Sequence, residues 1–204
     1  MTGKMAKDSQ KEILDLVRRL GVLRPRDLEL REIPREYLIR LHRQGRLERR
    51  GRGLYVLPGH ALTANHDLAQ VCKRVPRGVV CLLSALRFHG LTTQGPPEVW
   101  LALPEKARRP RLDSPPLRIA RFSGRALTAG VEHHVIEGVR VPIYSPAKTV
   151  ADCFKYRNKI GLDVAIEALK DYLAKHRGQV GELWRFAQIC RVARVIQPYL
   201  EAAR

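Results

Sequence analysis

The spacing of apolar residues near the start of the chain predicts a first helix. Apolar side chains recur with a helical period between Ile13 and Leu20, and Gly21 ends that stretch. Ser9 and Glu12 have the spacing of a capping box, in which each side chain bonds a backbone N–H at the helix start. The sequence therefore predicts a helix that begins at Ser9 and ends before Gly21.

Two more helices and a β-hairpin follow. A short second helix is predicted over roughly residues 25–30, and a third begins at Pro34 and ends at Gly45. Over residues 47–57 the apolar period changes to two around a glycine-containing turn, which predicts a hairpin. Three short helices and then a hairpin are the element order of a winged helix-turn-helix domain, which we assign to residues 1–59.

The remaining residues, 60–204, have helical patterns at both ends and strand patterns between them. Four strand patterns lie within residues 99–143. The last two are joined by Glu137-Gly138, which suits a tight hairpin, and Pro142 predicts that the final strand lies at a sheet edge. We therefore predict an α+β chain: an N-terminal winged helix-turn-helix domain followed by a mixed domain of helices around a small antiparallel sheet.

The third helix has two distinct faces when it is placed on a wheel of 100° per residue. The apolar face, which must pack on a core, holds Tyr37, Leu38 and Leu41. The opposite face, which can enter a major groove, holds Arg35, Ile39 and Arg43. Its two flanks hold Glu36 and Arg40 on one side and His42 on the other. Arginine pairs bidentately with guanine, and an exposed isoleucine can touch a thymine methyl group.

The hairpin adds a basic wing beside that helix. Arg49, Arg50 and Arg52 lie near its glycine tip, where they can meet a phosphate backbone or a minor groove. The alternative is a merely solvated basic surface. The element order favours DNA binding, and the predicted DNA-binding residues are Arg35, Ile39, Arg40, Arg43, Arg49, Arg50 and Arg52.

The composition is that of a basic globular protein. The chain has 204 residues, 45% of them hydrophobic, and a formal net charge of +18. Such a charge favours polyanionic partners, without deciding among DNA, RNA and an acidic membrane. A second basic cluster runs from Lys106 to Arg125. It is interpreted as a second nucleic-acid surface, a docking site for an acidic partner or a solubilising charge, and the sequence leaves these three open.

Few residues point to catalysis or to a bound metal. The four cysteines lack zinc-site and redox-pair spacing and are interpreted as buried, reduced thiols. His133 and His134 are adjacent strand residues, which point to opposite faces and cannot bind one metal together. We expect no enzyme activity, no cofactor and no metal. The sequence has no secretory signal and no apolar run long enough to cross a bilayer, so we expect a cytoplasmic protein without a membrane partner.

Four stretches, in the same order, resemble the AbiEi antitoxin family, the regulators of AbiE-type toxin–antitoxin systems. They are RLERRGRGLYVLPG, HDLAQVCKRVPRGVVCLLSALRFHGLTTQGPPEVWLALP, VPIYSPAKTVADCFKYRNKIGLDVAIEAL and IQPYLEAAR. The first is similar to the wing of that family, the second to its central helices and first strand, the third to its Ser-Pro-x-Lys-Thr helix, and the last to its ending. The resemblance extends over nearly the whole chain from about residue 9.

The resemblance implies a two-part function. The N-terminal domain is expected to bind double-stranded operator DNA and repress the system's own promoter. The second domain is expected to counteract a nucleotidyltransferase toxin without a stable complex, the arrangement called type IV. The antitoxicity candidates at the family motif are Ser145, Lys148, Thr149 and Asp152. Their structural alternative is a capped helix with an ion pair between Lys148 and Asp152, which lie four residues apart.

Two other functions remain open at this point. The second domain of a plain winged-helix regulator could sense a ligand or dimerise. A DNA-acting nuclease with a DNA-binding module is the other alternative, although acidic residues are sparse in the second domain.

Overall fold

A computed structural model of the chain describes residues 2–202, with gaps at 30, 50–52, 59–64 and 113–114, and describes side chains from Ser9 onward. The chain divides into two compact units. Unit 1 comprises Met1–Arg74 and Val135–Arg140, and unit 2 comprises Val75–His134 and Val141–Arg204. The predicted domain boundary after residue 59 lies outside the described residues and stays a prediction.

Unit 1 begins with the predicted order of three helices and a hairpin. Its elements are α1 (Thr2–Leu20), α2 (Arg26–Glu29), α3 (Glu36–Arg43), β1 (Glu48–Arg49), β2 (Tyr55–Val56) and α4 (His66–Arg74). The predicted start of α1 at Ser9 is wrong, because the helix already begins at Thr2. The Lys-Met-Ala-Lys run before Ser9 consists of good helix formers, so helical backbone extends past the apparent capping box.

The core of unit 1 joins α1 to α3 and the wing. Ile13 and Val17 of α1 pack with Leu38 and Leu41 of α3, and all four side chains are buried. The strands of the hairpin are antiparallel, with Arg49 opposite Tyr55. This packing leaves the polar face of α3 outside the core.

A third extended segment completes the small sheet beside the wing. The N–H of Leu23 donates to the carbonyl oxygen of Tyr55 over 2.9 Å, and the N–H of Tyr55 donates back to Leu23 over 2.9 Å. The base of the wing is therefore fixed on two sides, by Leu23 and by its own partner strand.

Helix α4 is bound to α2 by a charged cluster. Nζ of Lys73 lies 3.2 Å from Oδ2 of Asp27, and the backbone N–H of Arg24 donates to the same oxygen over 2.8 Å. Burial alone would raise the pKa of Asp27, but this N–H and the charges of Lys73 and Arg24 hold it below its ordinary value. The carboxylate therefore stays ionised and joins the two helices.

The segment Val135–Arg140 of unit 1 contains the predicted Glu137-Gly138 turn. Both residues have positive φ, 50° and 74°, which is the backbone of a type I′ turn and confirms the prediction. A Cβ added to Gly138 would lie 2.6 Å from the carbonyl carbon of Leu20, so only glycine fits here. Nδ1 of His66 lies 2.6 Å from Oε2 of Glu137.

Unit 2 contains both helices and strands, and its last five elements are helices. The hairpin whose turn belongs to unit 1 is described with unit 2, because its strands join the same sheet. The elements are β3 (Val79–Val80), α5 (Leu82–Phe88), β4 (Val99–Pro104), β5 (Leu117–Phe122), α6 (Arg125–Thr128), β6 (Val131–Ile136), β7 (Val139–Tyr144), α7 (Pro146–Lys155), α8 (Arg157–Ile160), α9 (Leu162–Lys175), α10 (Val180–Ile189) and α11 (Ala193–Ala202). The five strands form one sheet in the order β5-β4-β3-β7-β6.

The sheet is mixed, and the prediction of an antiparallel sheet is wrong. Strands β3 and β4 are antiparallel, whereas β4 pairs with β5 in parallel and β3 pairs with β7 in parallel. The connection over residues 105–116 is long enough for the crossover that the parallel β4–β5 pair needs. Alternation of apolar residues does not distinguish the two pairings, which explains the error.

Strand β7 lies inside the sheet, so the edge position predicted from Pro142 is also wrong. Its neighbour β3 has only two residues, and the two strands pair only at Val80 and Ile143. Pro142 is therefore tolerated because the short partner does not require a hydrogen bond from it.

Helix α7 is the centre of unit 2. Every residue from Ala147 to Phe154 is buried, and the helix packs against α5, α9 and α10. Because other elements surround α7, most of its side chains lie in an apolar core. The two charged residues Lys148 and Asp152 are among them, so their charges must be compensated inside the core.

Candidate nucleic-acid interface

Helix α3 divides into a packed face and an exposed face. Leu38 and Leu41 are fully buried, whereas Ile39 is 43% exposed. Arg35, which precedes the helix, and Arg43, in its last turn, are exposed. These residues lie where the helical wheel predicts them, and an α-helix of this kind fits a major groove.

Arg40 is exposed at the flank of this face, next to an aromatic ring. Its guanidinium carbon lies 5.5 Å from the ring centre of Tyr37. Tyr37 is half-buried, and its side chain packs against the core of unit 1. The same ring also contacts the guanidinium group of Arg40. This contact orients Arg40 along the side of the helix.

The wing places a further cation beside α3. Arg49 is exposed and lies at the end of β1, opposite Tyr55. Arg50 and Arg52 lie outside the described residues. The described part of the wing therefore contributes one exposed cation, Arg49, which adds to the cations of the exposed α3 face. Cations on a helix and on a wing can contact bases and phosphates together.

His42 connects the helix to the wing. Its Nδ1 donates to the carbonyl oxygen of Leu47 over 3.0 Å, and its ring lies edge-on to Tyr55 at 6.2 Å. The sequence placed His42 only on a flank of α3. This contact runs from a helix to a following strand, so no residue spacing indicates it.

The four antitoxicity candidates lie in α7 and at its N-cap. Ser145 caps the helix, and its hydroxyl accepts from the N–H of Lys148 over 3.4 Å. The hydroxyl of Thr149 donates to the carbonyl oxygen of Tyr144 over 3.1 Å, and Nζ of Lys148 lies 2.5 Å from Oδ2 of Asp152. All four candidates are buried, so none of them forms a surface that another protein can contact directly.

Aromatic rings and a thiol complete the surroundings of the buried ion pair. Nζ of Lys148 lies 4.1 Å from the ring centre of Tyr144 and 4.9 Å from that of Phe122. The thiol of Cys190 donates to Oδ1 of Asp152 over 3.2 Å. Burial raises the pKa of Asp152, and the ammonium group of Lys148 opposes that rise.

The cysteines are buried and free, as predicted from their spacing. Burial raises the pKa of Cys72 to about 12, and burial together with Asp152 raises the pKa of Cys190 to about 12. Burial also raises the pKa of Cys81 and of Cys153 well above the ordinary value. Thiols in this state are protonated at neutral pH and are poor nucleophiles.

The second basic cluster has a structural part and an exposed part. Arg121 donates to the carbonyl oxygens of Pro104 and Ala107 over 2.8 and 2.7 Å, so it fixes the loop after β4. Arg108, Arg109 and Arg111 are exposed and line a surface cavity of about 540 Å³.

Two further features concern metal binding and membrane insertion in the described part of the chain. No group of three or more His, Cys, Asp and Glu residues among them is placed to hold a metal ion. No helix in the described part of the chain is both long and apolar enough to span a membrane.

The element order and the exposed cationic face of the first three helices and the hairpin fit a winged helix-turn-helix domain. Residues 11–58 match the family described as "Transcriptional regulator, AbiEi antitoxin". The match includes the C-terminal part of α1 and all of α2, α3, β1 and β2, and it confirms the resemblance for this region.

A solved structure shares the fold over a longer range. The chain is similar to the crystal structure of the RV2827C protein from Mycobacterium tuberculosis, with a TM-score of 0.54 and 18% sequence identity. The similarity covers 97% of this chain and 82% of that chain. A search of curated proteins found no match.

Proposed function

We propose that this chain is a DNA-binding transcriptional autorepressor and the antitoxin of a cognate nucleotidyltransferase toxin in a type IV toxin–antitoxin system. The observation that carries the DNA-binding part is the division of α3, which buries Leu38 and Leu41 and exposes Ile39 and its neighbouring arginines. The family match over residues 11–58 supports both parts. Binding to operator DNA would require the protein to be in the cytoplasm.

The DNA-binding part assigns different roles to the helix and the wing. Arg35, Arg43 and Ile39 lie on the face that would enter a major groove, where they can read base edges and a thymine methyl group. Arg40 lies on its flank. Arg49, with Arg50 and Arg52 by sequence, would contact phosphates, which fix orientation but carry no sequence information directly.

The antitoxin part rests on the resemblance to the family. We propose that Ser145, Lys148, Thr149 and Asp152 act by holding α7 in place, since their side chains are buried and bond one another or the backbone. The surface that acts against the toxin would then be formed by other residues of unit 2.

Binding of the full-length protein to DNA from its own promoter tests the first part. A fluorescently labelled promoter duplex and a shuffled duplex of equal length and composition are titrated at several salt concentrations. Specific repressors bind their sites about 10³–10⁷ times more tightly than other DNA. Equal affinity for both duplexes would contradict sequence-specific repression.

Co-expression tests the second part separately. A nucleotidyltransferase encoded next to this chain's gene is expressed alone or with the full-length chain from an independent promoter, and growth is followed. We expect the chain to restore growth, and an Arg43→Ala variant to restore it equally, because repression is not needed in this arrangement. Failure of the unsubstituted chain to restore growth would contradict the antitoxin assignment and would favour a plain winged-helix regulator.

A further inference from the structure

The chain turns sharply between the recognition helix and the wing. The backbone N–H groups of Arg46 and Leu47 both donate to the carbonyl oxygen of Leu41, over 2.9 and 3.2 Å, and Gly45 has a φ of 69°. These bonds fix the turn itself. They lie at the end of α3 and do not reach the second strand of the wing.

His42 contacts the residue that precedes β1 and a residue of β2. Its Nδ1–H donates to the carbonyl oxygen of Leu47, the residue before β1, over 3.0 Å. The edge of its ring meets the ring of Tyr55 in β2, with centres 6.2 Å apart and planes at 73°. Tyr55 is in turn bonded to Leu23 through two backbone hydrogen bonds.

One side chain of α3 thus joins the helix to the wing base at two points, Leu47 before β1 and Tyr55 in β2. The wing base is small, since each strand has two residues. A small rotation at this base would shift Arg49, at the end of β1, relative to α3. A binding surface held rigidly in its bound geometry loses less conformational entropy when the ligand binds.

We propose that His42 is a positioning residue that sets the wing relative to α3, so that helix and wing contact the same DNA duplex at once. This inference rests on the DNA binding proposed above. His42 acts through the wing arginines, and it is not itself required to read a base.

Amide hydrogen exchange in the free, full-length protein tests the brace without DNA. His42→Phe removes the hydrogen-bond donor and keeps an aromatic ring, and His133→Phe, at an exposed position of β6, is the matched control. We expect His42→Phe to speed exchange in peptides containing Tyr55 and Val56, with no change in peptides of α7. Unchanged exchange in the wing would overturn the proposal whether or not the protein binds DNA.

Salt dependence of DNA binding tests the functional consequence. The slope of log K against log salt falls by about 0.9 for each phosphate contact that is lost. We expect His42→Phe to reduce the slope by at least about 0.9, which corresponds to one phosphate contact, on both duplexes. His133→Phe should leave the slope unchanged. An unchanged slope with His42→Phe would overturn the proposal.

Double-mutant cycles separate positioning from direct contact with DNA. Because His42 acts through the wing, the loss of affinity in His42→Phe/Arg49→Ala should be smaller than the product of the two single losses. In His42→Phe/Arg35→Ala, the loss of affinity should equal the product of the two single losses, since Arg35 lies at the other end of α3. Multiplicative losses in both cycles would show that His42 acts independently of the wing.

The proposed function can fail separately. If the unsubstituted protein does not prefer its promoter duplex, sequence-specific repression fails, and the exchange experiment still decides whether His42 braces the wing. If the promoter is preferred and the cycles are multiplicative, only the role of His42 is overturned.

Discussion

Helices α3 and α7 carry the same kinds of charged residue in opposite surroundings. The arginines of α3 face solvent, whereas Lys148 and Asp152 of α7 are fully buried. An exposed cation remains available to a ligand and contributes little to stability. A buried cation requires its partner and cannot reach a ligand while the unit stays folded. Charge alone therefore does not identify a binding residue, and burial separates the two roles.

The largest expected effect comes from breaking the buried pair. Asp152→Ala leaves the ammonium group of Lys148 without its partner in the core, and we expect a loss of about 3–5 kcal/mol in the free energy of unfolding. Urea denaturation of the full-length protein measures it. The matched control is Asp15→Ala, which removes an exposed pair with Arg18 and should cost at most about 1 kcal/mol.

A loss below about 1 kcal/mol for Asp152→Ala would contradict the assignment of Lys148 and Asp152 to a tightly held core pair. A double replacement, Lys148→Met with Asp152→Leu, should recover much of the lost stability, because apolar residues of similar volume remove both buried charges.

The next largest effect tests how tightly the pair is enclosed. Gly130 has a φ of 72°, and an added Cβ would lie 2.8 Å from Cβ of Lys148 and 2.9 Å from the ring of Phe186. Gly130→Ala should therefore cost about 2–4 kcal/mol from backbone strain and overpacking. Gly178 is the control, since it also has positive φ, 88°, but has no described atom within 4 Å of an added Cβ.

Gly178→Ala should cost only the backbone strain, about 1–2 kcal/mol by thermal or urea denaturation. Equal losses for Gly178→Ala and Gly130→Ala would mean that the surroundings of Lys148 can adjust without cost.

A smaller effect is expected from the pH dependence of unit 2. Burial lowers the pKa of His89, although its Nε2–H bond to the carbonyl oxygen of Tyr144 opposes this, and the ordinary value is 6.5. The unfolded chain then binds the proton more readily than the folded chain. Stability should fall as the pH drops below about 6.5, and His89→Gln should make that dependence shallower. An identical pH profile for both proteins would contradict a lowered pKa of His89 in the folded chain.

The smallest effect on stability is expected at the wing. Arg49→Ala removes an exposed cation, so unfolding should change by at most about 0.5 kcal/mol. Its effect should be on DNA binding, as a weaker affinity for all sequences and a salt slope that is smaller by about 0.9. A normal salt slope would remove Arg49 from the interface.

Sequence patterns predict local elements well and contacts between distant elements poorly. The faces of α3 and the type I′ turn at Glu137-Gly138 follow from periodicity and turn chemistry, and both agree with the structure. The parallel pairing of β4 with β5 cannot be predicted from the sequence pattern, because apolar alternation is the same in parallel and antiparallel strands.

The candidate site shows the same limit. Lys148 and Asp152 lie four residues apart, a spacing equally common for exposed helix pairs, so their full burial becomes visible only when α5, α9 and α10 are placed around α7. The contact of His42 with Leu47 and Tyr55 depends on the position of the wing, which the sequence does not specify.

The most direct test of the proposed DNA recognition is the binding of full-length Arg43→Ala to its promoter duplex and to the shuffled duplex. If Arg43 reads a guanine, the substitution should weaken binding to the promoter by about 1–3 kcal/mol more than binding to the shuffled duplex. Equal weakening on both duplexes, or no weakening on either, would contradict sequence reading by the exposed face of α3.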